Sequence, residues 1–290
     1  MNRPRILKVI ATTFNSRSVR ENALITGRPP IKTLLSQNFT DATSIHSMHD
    51  FLIKKELDSA EDSSLMDLLF VVSDMRFKAD NQRLETKINV ANSISDHRNF
   101  RFLERSNKGW SYGAFSESFF KYSEEYDYFF FCEDDVLILG DEKFRAAAEE
   151  LDNDPQLGFL SFLGTSSYCH GLIEADAIHA RNGIGMARTD RLVGAISEAG
   201  IDLLPFCVDP QGEYVNIIRE GEVRFTNFLI KHGLSVRDFR PNKTLMISTY
   251  DAMLGRSFEK FPSRLELIGY HTKKIVKEGL YKFACSLGLR

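Results

Sequence analysis

Apolar segments of strand length alternate along the chain with longer stretches that have helical spacing or polar composition. The apolar segments, which are rich in β-branched and aromatic residues, are Leu7–Phe14, Leu68–Val72, Phe100–Leu103, Tyr128–Phe131 and Gly158–Phe162. This rhythm is typical of strands joined by helical crossovers. It predicts an α/β fold with a largely parallel sheet flanked by helices.

Apolar residues at helical spacing mark the connections between these strands. The predicted helices are Ile31–Gln37, Ser47–Leu57, Asp80–Ile94, Ser111–Glu125, Asp141–Leu151, Thr189–Ala199 and Gly221–His232. The helix Ser111–Glu125 carries an aromatic stripe, Tyr112, Phe115, Phe119 and Phe120, which we interpret as core packing. After residue 165 the sequence becomes more polar and glycine-bearing, which indicates a second half with a different role.

The composition is that of an ordinary globular protein of 290 residues, of which 43% are hydrophobic and 27% charged. A chain of this size can bury a substantial core. Its formal net charge of −3 provides no overall basic field. We therefore do not expect a nucleic-acid partner.

The four cysteines, Cys132, Cys169, Cys207 and Cys285, show none of the spacings of a zinc site or a disulfide framework. Reduced thiols fit a cytoplasmic protein best. No stretch approaches the ~18 apolar residues that a membrane-spanning helix needs. Any association with a membrane is therefore expected to be peripheral.

Three consecutive acids, Glu133, Asp134 and Asp135, follow an apolar run in the segment YDYFFFCEDDVLIL, Tyr126–Leu139. The run shows no alternation, which predicts a strand covered on both faces. The acids then fall at its carboxyl end, where open α/β sheets place their ligand crevices. Because adjacent carboxylates repel, the cluster needs cations nearby, and oxygen ligands suit Mn²⁺ or Mg²⁺ held with a phosphate. The alternative is a solvated turn whose acids only end the strand.

The acidic segment resembles the metal-binding motif of GT-A fold glycosyltransferases, which grips the metal–diphosphate of a nucleotide sugar. Three stretches before the triplet and one after it match the order of motifs in that group, most closely in family-2-type enzymes. They are Lys8–Arg17 (KVIATTFNSR), Val72–Asp74 (VSD), Glu104–Ala114 (ERSNKGWSYGA) and Arg219–Val236 (REGEVRFTNFLIKHGLSV). The resemblance covers about residues 6 to 240 and implies a Rossmann-like α/β fold, with a mixed, mostly parallel sheet flanked by helices.

This resemblance implies a hexosyl- or N-acetylhexosaminyl-transferase of polysaccharide biosynthesis, with UDP-sugars as the favoured donors, a glycan or lipid-linked acceptor, and inversion at the anomeric carbon. The nucleotide-sugar half would span residues 1–165, the acceptor half 166–245 and a C-terminal helical extension 246–290. The residues implied in donor binding are Thr13, Asn15, Arg17, Asp74, Lys108, Gly109, Glu133 and Asp134.

The same resemblance implies that Asp135 and Glu133 bind the metal ion. His271 is a candidate third ligand, although it can also be read as an exposed histidine on a basic amphipathic helix. Glu222 falls where the family carries its catalytic base, with Glu220 as the neighbouring candidate. Here the chain departs from the family, since Gly221 and Glu222 replace its common Glu-Asp pair. A helix-terminal acid favoured by the helix dipole is the structural alternative for Glu222.

The segment NGIGMAR, 182–188, resembles the floor of the acceptor site in the same family, which implies acceptor binding here. Gly185 would let a sugar approach the backbone, and Met186 would offer an adaptable apolar surface. Trp110 stacks on a sugar or base, or else belongs to the core. The basic segment 263–290 either contacts an anionic membrane surface or packs on the catalytic domain or another subunit.

Two other functions remain open from the sequence. A sugar-nucleotidyltransferase of related fold normally carries a glycine-rich phosphate loop after the first strand, and the segment ATTFNSRS lacks one. A non-catalytic α/β domain would use the acidic triplet only to bind a cation or a partner. Slow hydrolysis of a nucleotide sugar in the presence of Mn²⁺ distinguishes an enzyme from such a binding domain.

Overall fold

The computed structural model describes twelve parts of the chain. They are residues 5–12, 45–58, 66–72, 78–95, 99–105, 110–134, 136–139, 143–162, 180, 183–201, 218–239 and 245–248. The chain divides into two units, Met1–Met253 and Leu254–Arg290, and every described residue belongs to the first. The predicted helix Ile31–Gln37 and the basic C-terminal segment lie outside the described residues.

The strands of the described residues form one large sheet and one small one. They are β1 (Ile6–Thr12), β2 (Met66–Val72), β3 (Phe100–Glu104), β4 (Tyr128–Glu133), β5 (Val136–Leu139), β6 (Leu157–Ser161), β7 (Gly185–Arg188), β8 (Ser235–Asp238) and β9 (Leu245–Ser248). Seven of them form a sheet in the order β3-β2-β1-β4-β7-β6-β8, and β5 pairs with β9 separately. In the large sheet only β7 runs antiparallel to its neighbours.

Helices cover both faces of the large sheet. They are α1 (Ile45–Asp58), α2 (Lys78–Ile94), α3 (Trp110–Tyr122), α4 (Lys143–Asn153), α5 (Thr189–Ala199), a π-helix (Ile218–Val223) and α6 (Arg224–Lys231). One core lies under α1, α2 and α4, and the other lies under α3, α5 and α6. The predicted α/β fold with a mixed, mostly parallel sheet is therefore confirmed. No helix in the described parts of the chain is long and apolar enough to cross a bilayer.

Strand β4 is central to both cores. Phe129 and Phe131 face α3, where they contact Phe119 and Phe115, while Phe130 faces Phe144 on the opposite side. The prediction of a strand buried on both faces is therefore confirmed. The core interpretation of the α3 stripe also holds for Tyr112, Phe115 and Phe119.

The interpretation is wrong for Phe120, which is 40% exposed. Phe120 directly follows the buried Phe119, and neighbouring helical positions point about 100° apart. The short strands β5, β7, β8 and β9 were not predicted, and the predicted helix Gly221–His232 begins with the π-helix instead of an α-helical turn.

The otherwise apolar strand β1 contains one charged residue, Lys8, which forms a buried ion pair. Lys8 Nζ lies 2.5 Å from Glu56 Oε1 of α1, and both side chains are almost fully shielded from solvent. The ammonium group also lies 5.5 Å from the centroid of the Phe144 ring. Burial of one such charge without its counter-ion is costly, so this pair fixes α1 against the sheet.

We expect Glu56→Gln to lower the free energy of unfolding by about 3 kcal/mol, because Lys8 then stays in the core without this carboxylate. The double variant Lys8→Met/Glu56→Leu should recover most of the loss. The control is Asp50→Asn. Asp50 lies on α1, like Glu56, but it forms an exposed ion pair with Lys87 of α2, so its loss should change the free energy of unfolding by less than about 1 kcal/mol. Urea unfolding measures the free energy of unfolding of the three variants and the wild type. Equal stability of Glu56→Gln and the wild type would contradict the pairing.

Candidate functional site

The carboxyl ends of β1 and β4 meet at the point where the sheet reverses its strand order. From β1 the chain continues to β2 and β3 on one side, and β4 then returns to the other side of β1. Glu133 pairs in register with Ala11, and the Asp134 N–H donates to the Ala11 carbonyl at 3.1 Å. Such a switch point opens a crevice where α/β proteins bind ligands. Glu133 and Asp134 lie at its edge, and Asp135 is outside the described residues.

Glu133 faces the side of the sheet covered by α3. The Ser111 hydroxyl, in the first turn of α3, donates a hydrogen bond of 2.5 Å to Glu133 Oε1. Ser111 is buried, whereas Glu133 is partly exposed. The positive end of the helix dipole also favours a carboxylate at this position. The first turn of α3 therefore orients the Glu133 carboxylate at the rim.

Asp134 faces the opposite side of the sheet. Its carboxylate is buried, with Oδ2 3.9 Å from His49 Nε2 of α1, whose side chain is also buried. The His49 ring makes an edge contact with Phe70, with centroids 5.6 Å apart. Glu133, the last residue of β4, and Asp134, in the turn that follows, therefore project to different faces of the sheet. The predicted donor contact of Asp134 stays a prediction.

Glu222 lies in the π-helix that leads directly into α6, and it is buried. Its carbonyl accepts a hydrogen bond of 2.8 Å from the Thr226 hydroxyl, and that hydroxyl oxygen accepts one of 2.9 Å from the Ala180 N–H. π-Helical turns occur frequently at functional sites. Because the helix begins at Ile218, Glu222 lies past its first turn, which weakens the alternative of a helix-terminal acid.

The ring of Tyr112 brings the Glu222 segment to the first turn of α3. A Cβ at Gly221 would lie only 2.8 Å from Tyr112 Cε2, so this backbone is in direct contact with the ring. Tyr112 follows Ser111, which holds Glu133. The predicted metal carboxylate and the predicted base are thus linked through two successive residues of one helix.

Carboxylate oxygens at a strand end are chemically suited to Mn²⁺ or Mg²⁺, which prefer hard oxygen ligands. In the described ranges Glu133 is the predicted ligand that reaches the rim. No group of three His, Cys, Asp or Glu side chains that could hold a metal ion occurs among the described residues. Asp135 and His271, the other predicted ligands, are not part of those ranges.

Gly185 and Met186 lie within β7, between β4 and β6. A Cβ at Gly185 would lie 2.2 Å from the Leu160 carbonyl oxygen, and the Met186 side chain is fully buried in the core. Packing within the sheet accounts for the glycine and for the methionine. Their acceptor role stays a prediction without support from this packing.

The remaining predicted site residues fall into two groups. Trp110 begins α3 and Glu220 lies in the π-helix, but their side chains are not described. The other residues lie outside the described ranges altogether: Thr13, Asn15, Arg17, Asp74, Lys108 and Gly109. Sequence reasoning missed His49 and Ser111, because nothing in the sequence signals a contact between elements so far apart. The importance of Gly221 did have a signal in the sequence, because this glycine stands where the resembling family has an acid.

No protein-family model matches the sequence, and no curated protein matches it significantly. Among solved structures, a CMP:2-keto-3-deoxy-manno-octonic acid synthetase complexed with CTP aligns with a TM-score of 0.46 and 14% identity, over 87% of this chain and 96% of that chain. TarS of S. aureus aligns with a TM-score of 0.37 and 10% identity, over 81% of this chain and 35% of TarS. Similarity at this level establishes neither a family nor a reaction.

Cys132 directly precedes the acids, and its thiol faces away from Glu133. It is fully buried and donates to the Val9 carbonyl at 3.5 Å. Burial raises the pKa of this thiol to about 12. The thiol is therefore protonated near neutral pH, which excludes Cys132 as a nucleophile of the site.

We expect iodoacetamide to alkylate Cys132 at least about 100-fold more slowly in the native protein than in the urea-unfolded chain, because burial suppresses both access and the thiolate form. Peptide mapping by mass spectrometry follows this one residue at neutral pH. The same peptide in urea is the control. Rapid native alkylation of Cys132 would show that this end of β4 opens to solvent.

Proposed function

We propose that the chain is a metal-dependent glycosyltransferase, which moves a sugar from a nucleotide sugar, by preference UDP-linked, to a hydroxyl of a glycan or lipid-linked acceptor. One observation carries the proposal. Glu133 ends the central strand at the switch point of the sheet, and Gly221, the residue before Glu222, contacts Tyr112 in the same helix turn whose Ser111 holds Glu133. This contact supports the proposal that the two carboxylates serve one crevice.

The donor side of the proposed site is the end of β4. Glu133, oriented by Ser111, and Asp135 would hold Mn²⁺ or Mg²⁺, with Asp134 supporting the edge from the opposite face. A bound divalent cation neutralises the charge that develops on the departing diphosphate. The chain's own part is to keep the carboxylates in place before the donor arrives.

The acceptor side is Glu222, which acts as the general base. The acceptor hydroxyl gives its proton to the Glu222 carboxylate while its oxygen forms the new bond to the anomeric carbon. The bond between that carbon and the diphosphate breaks, and the diphosphate leaves with the electron pair. Direct displacement on the opposite face inverts the configuration.

The proposed metal site keeps His271 as its third candidate ligand, as the resemblance implies. The described part of the chain around the acidic triplet is held by the small sheet, in which Ser248 of β9 pairs with Val136, the residue that follows Asp135.

A thermal-shift screen of nucleotide sugars with and without Mn²⁺ tests the donor side. A cognate donor should raise the melting temperature only when Mn²⁺ is present, because a ligand of the native state stabilises it. Asp135→Ala should lose this shift. Glu149→Ala, which removes an exposed acid of α4, should keep it. An unchanged Mn²⁺-dependent shift in Asp135→Ala would refute the metal role.

Nucleoside triphosphates added to the same screen, together with an assay of released pyrophosphate, separate the nucleotidyltransferase alternative. That enzyme would be stabilised by a nucleoside triphosphate and would release pyrophosphate when a sugar or a sugar phosphate is added. A glycosyltransferase releases a nucleoside diphosphate or monophosphate from a nucleotide sugar instead. If the protein releases pyrophosphate and transfers no sugar from any nucleotide sugar, it is a nucleotidyltransferase and the proposed function is wrong.

Glu222→Gln should lower kcat at least about 100-fold, because an amide cannot accept the acceptor's proton. The Mn²⁺-dependent donor shift should remain, since Glu222 lies on the acceptor side. Glu220→Gln is the matched control on the same π-helix and should keep most of the turnover. Loss of activity in Glu220→Gln with retention in Glu222→Gln would move the base to Glu220.

A further inference from the structure

Gly221 allows a very close contact between the π-helix and α3. A Cβ at this position would lie 2.8 Å from Tyr112 Cε2 and 3.0 Å from both Cδ2 and Cζ. The first of these distances is below any normal carbon–carbon contact, so a larger residue must displace the ring or the π-helix. Glu222 is the next residue, and any displacement of this backbone moves it as well.

Gly183 approaches the other edge of the same ring. Its φ of +64° favours glycine, and a Cβ there would lie 3.1 Å from Tyr112 Cε1. The ring is therefore held between two glycine backbones, one from the segment before β7 and one from the π-helix. It is only 3% exposed and meets Phe115 edge to face, with centroids 6.2 Å apart.

A closed circuit of contacts joins these segments. The Gly183 N–H donates to the Ala180 carbonyl at 3.0 Å, and the Ala180 N–H donates to the Thr226 hydroxyl. That hydroxyl in turn donates to the Glu222 carbonyl, and Glu222 adjoins Gly221. The circuit returns to the Tyr112 ring, so the backbone of Glu222 is fixed from two sides.

Tyr112 is also next to the residue that holds the donor side of the proposed site. Ser111, which precedes Tyr112, donates to Glu133. A rigid helical turn therefore sets the separation between the Glu133 carboxylate and the Glu222 backbone. Catalysis by two groups depends steeply on such a separation, since a displacement of about 1 Å can cost 100-fold in rate.

We propose that Tyr112, clasped between Gly183 and Gly221, is the positioning residue that holds the catalytic base Glu222 at its working distance from Glu133. This inference rests on the proposed glycosyltransferase function. It assigns Gly221 a purpose that the resemblance left unexplained, because only glycine lets the backbone directly before Glu222 touch the ring. Tyr112 acts through Glu222 and does not itself contact the reacting atoms.

Gly221→Ala tests the clasp directly. We expect kcat to fall about 100-fold while the KM for the donor changes less than about 2-fold, because the added methyl moves Glu222 and leaves Ser111 and Glu133 in place. Gly194→Ala is the matched control, since nothing lies within 4 Å of a Cβ at that exposed helical position. It should keep wild-type kinetics.

Tyr112→Leu in the Gly221→Ala background makes room for the methyl group. The double variant should be at least about 10-fold more active than Gly221→Ala, because contacting residues are energetically coupled. Tyr112→Leu alone should lose kcat while keeping the Mn²⁺-dependent donor shift, and it carries the test if Gly221→Ala does not fold. Additive losses in the double variant, or wild-type kcat in Tyr112→Leu, would overturn the proposal.

A readout without turnover separates this proposal from the proposed function. The ¹³C carboxyl signal of Glu222, assigned by its absence in Glu222→Gln, should move in Gly221→Ala and return toward its wild-type position in the double variant. If the signal behaves in this way but the wild type transfers no sugar, the function is wrong and the clasp stands. If the wild type transfers sugar and the signal and kcat are unchanged in Gly221→Ala, the clasp is wrong.

Discussion

The parallel pairing of β1 with β4 is the constraint on which the rest of the structure depends. It places a strand of aromatic residues between two cores and ends that strand at the reversal of strand order. Right-handed crossovers then put the helices that precede and follow the reversal on different faces. Consequently α1 and α3 rise on opposite sides of one crevice, and each contacts one of two successive acids, Asp134 and Glu133.

Polar and charged groups, as well as apolar ones, hold α1 against the sheet. Glu56, in its last turn, pairs with Lys8 of β1, and His49, nearer its start, lies beside Asp134. A buried ion pair such as Lys8–Glu56 adds little net stability compared with apolar residues, but it penalises any shift of register strongly. The helix is therefore fixed along its length relative to the carboxyl ends of β1 and β4, where the proposed donor would bind.

Much of the sheet follows from local pattern, and the site follows only in part. The non-alternating run Tyr128–Phe131 predicted a strand covered on both faces because burial on both sides removes any need for polar residues. The position of Glu133 at the strand end followed from the same run. By contrast β7 has only four residues and begins with glycine, so it gives no strand signal, and the resemblance implies the floor of an acceptor site at this segment. Its glycine is required by the Leu160 carbonyl of β6.

The contacts of Ser111 and His49 could not be predicted because they depend on how distant elements pack, not on spacing within one element. The wide turn at Ile218–Val223 has a consequence of its own. Its hydrogen bonds span one residue more than those of an α-helix. Deleting one residue of the π-helix would leave Phe225 and Leu229 of α6 in the core and turn the Glu222 side chain about the helix axis. It would also break the contact between Gly221 and Tyr112, so the direction of this carboxylate depends on the length of the π-helix.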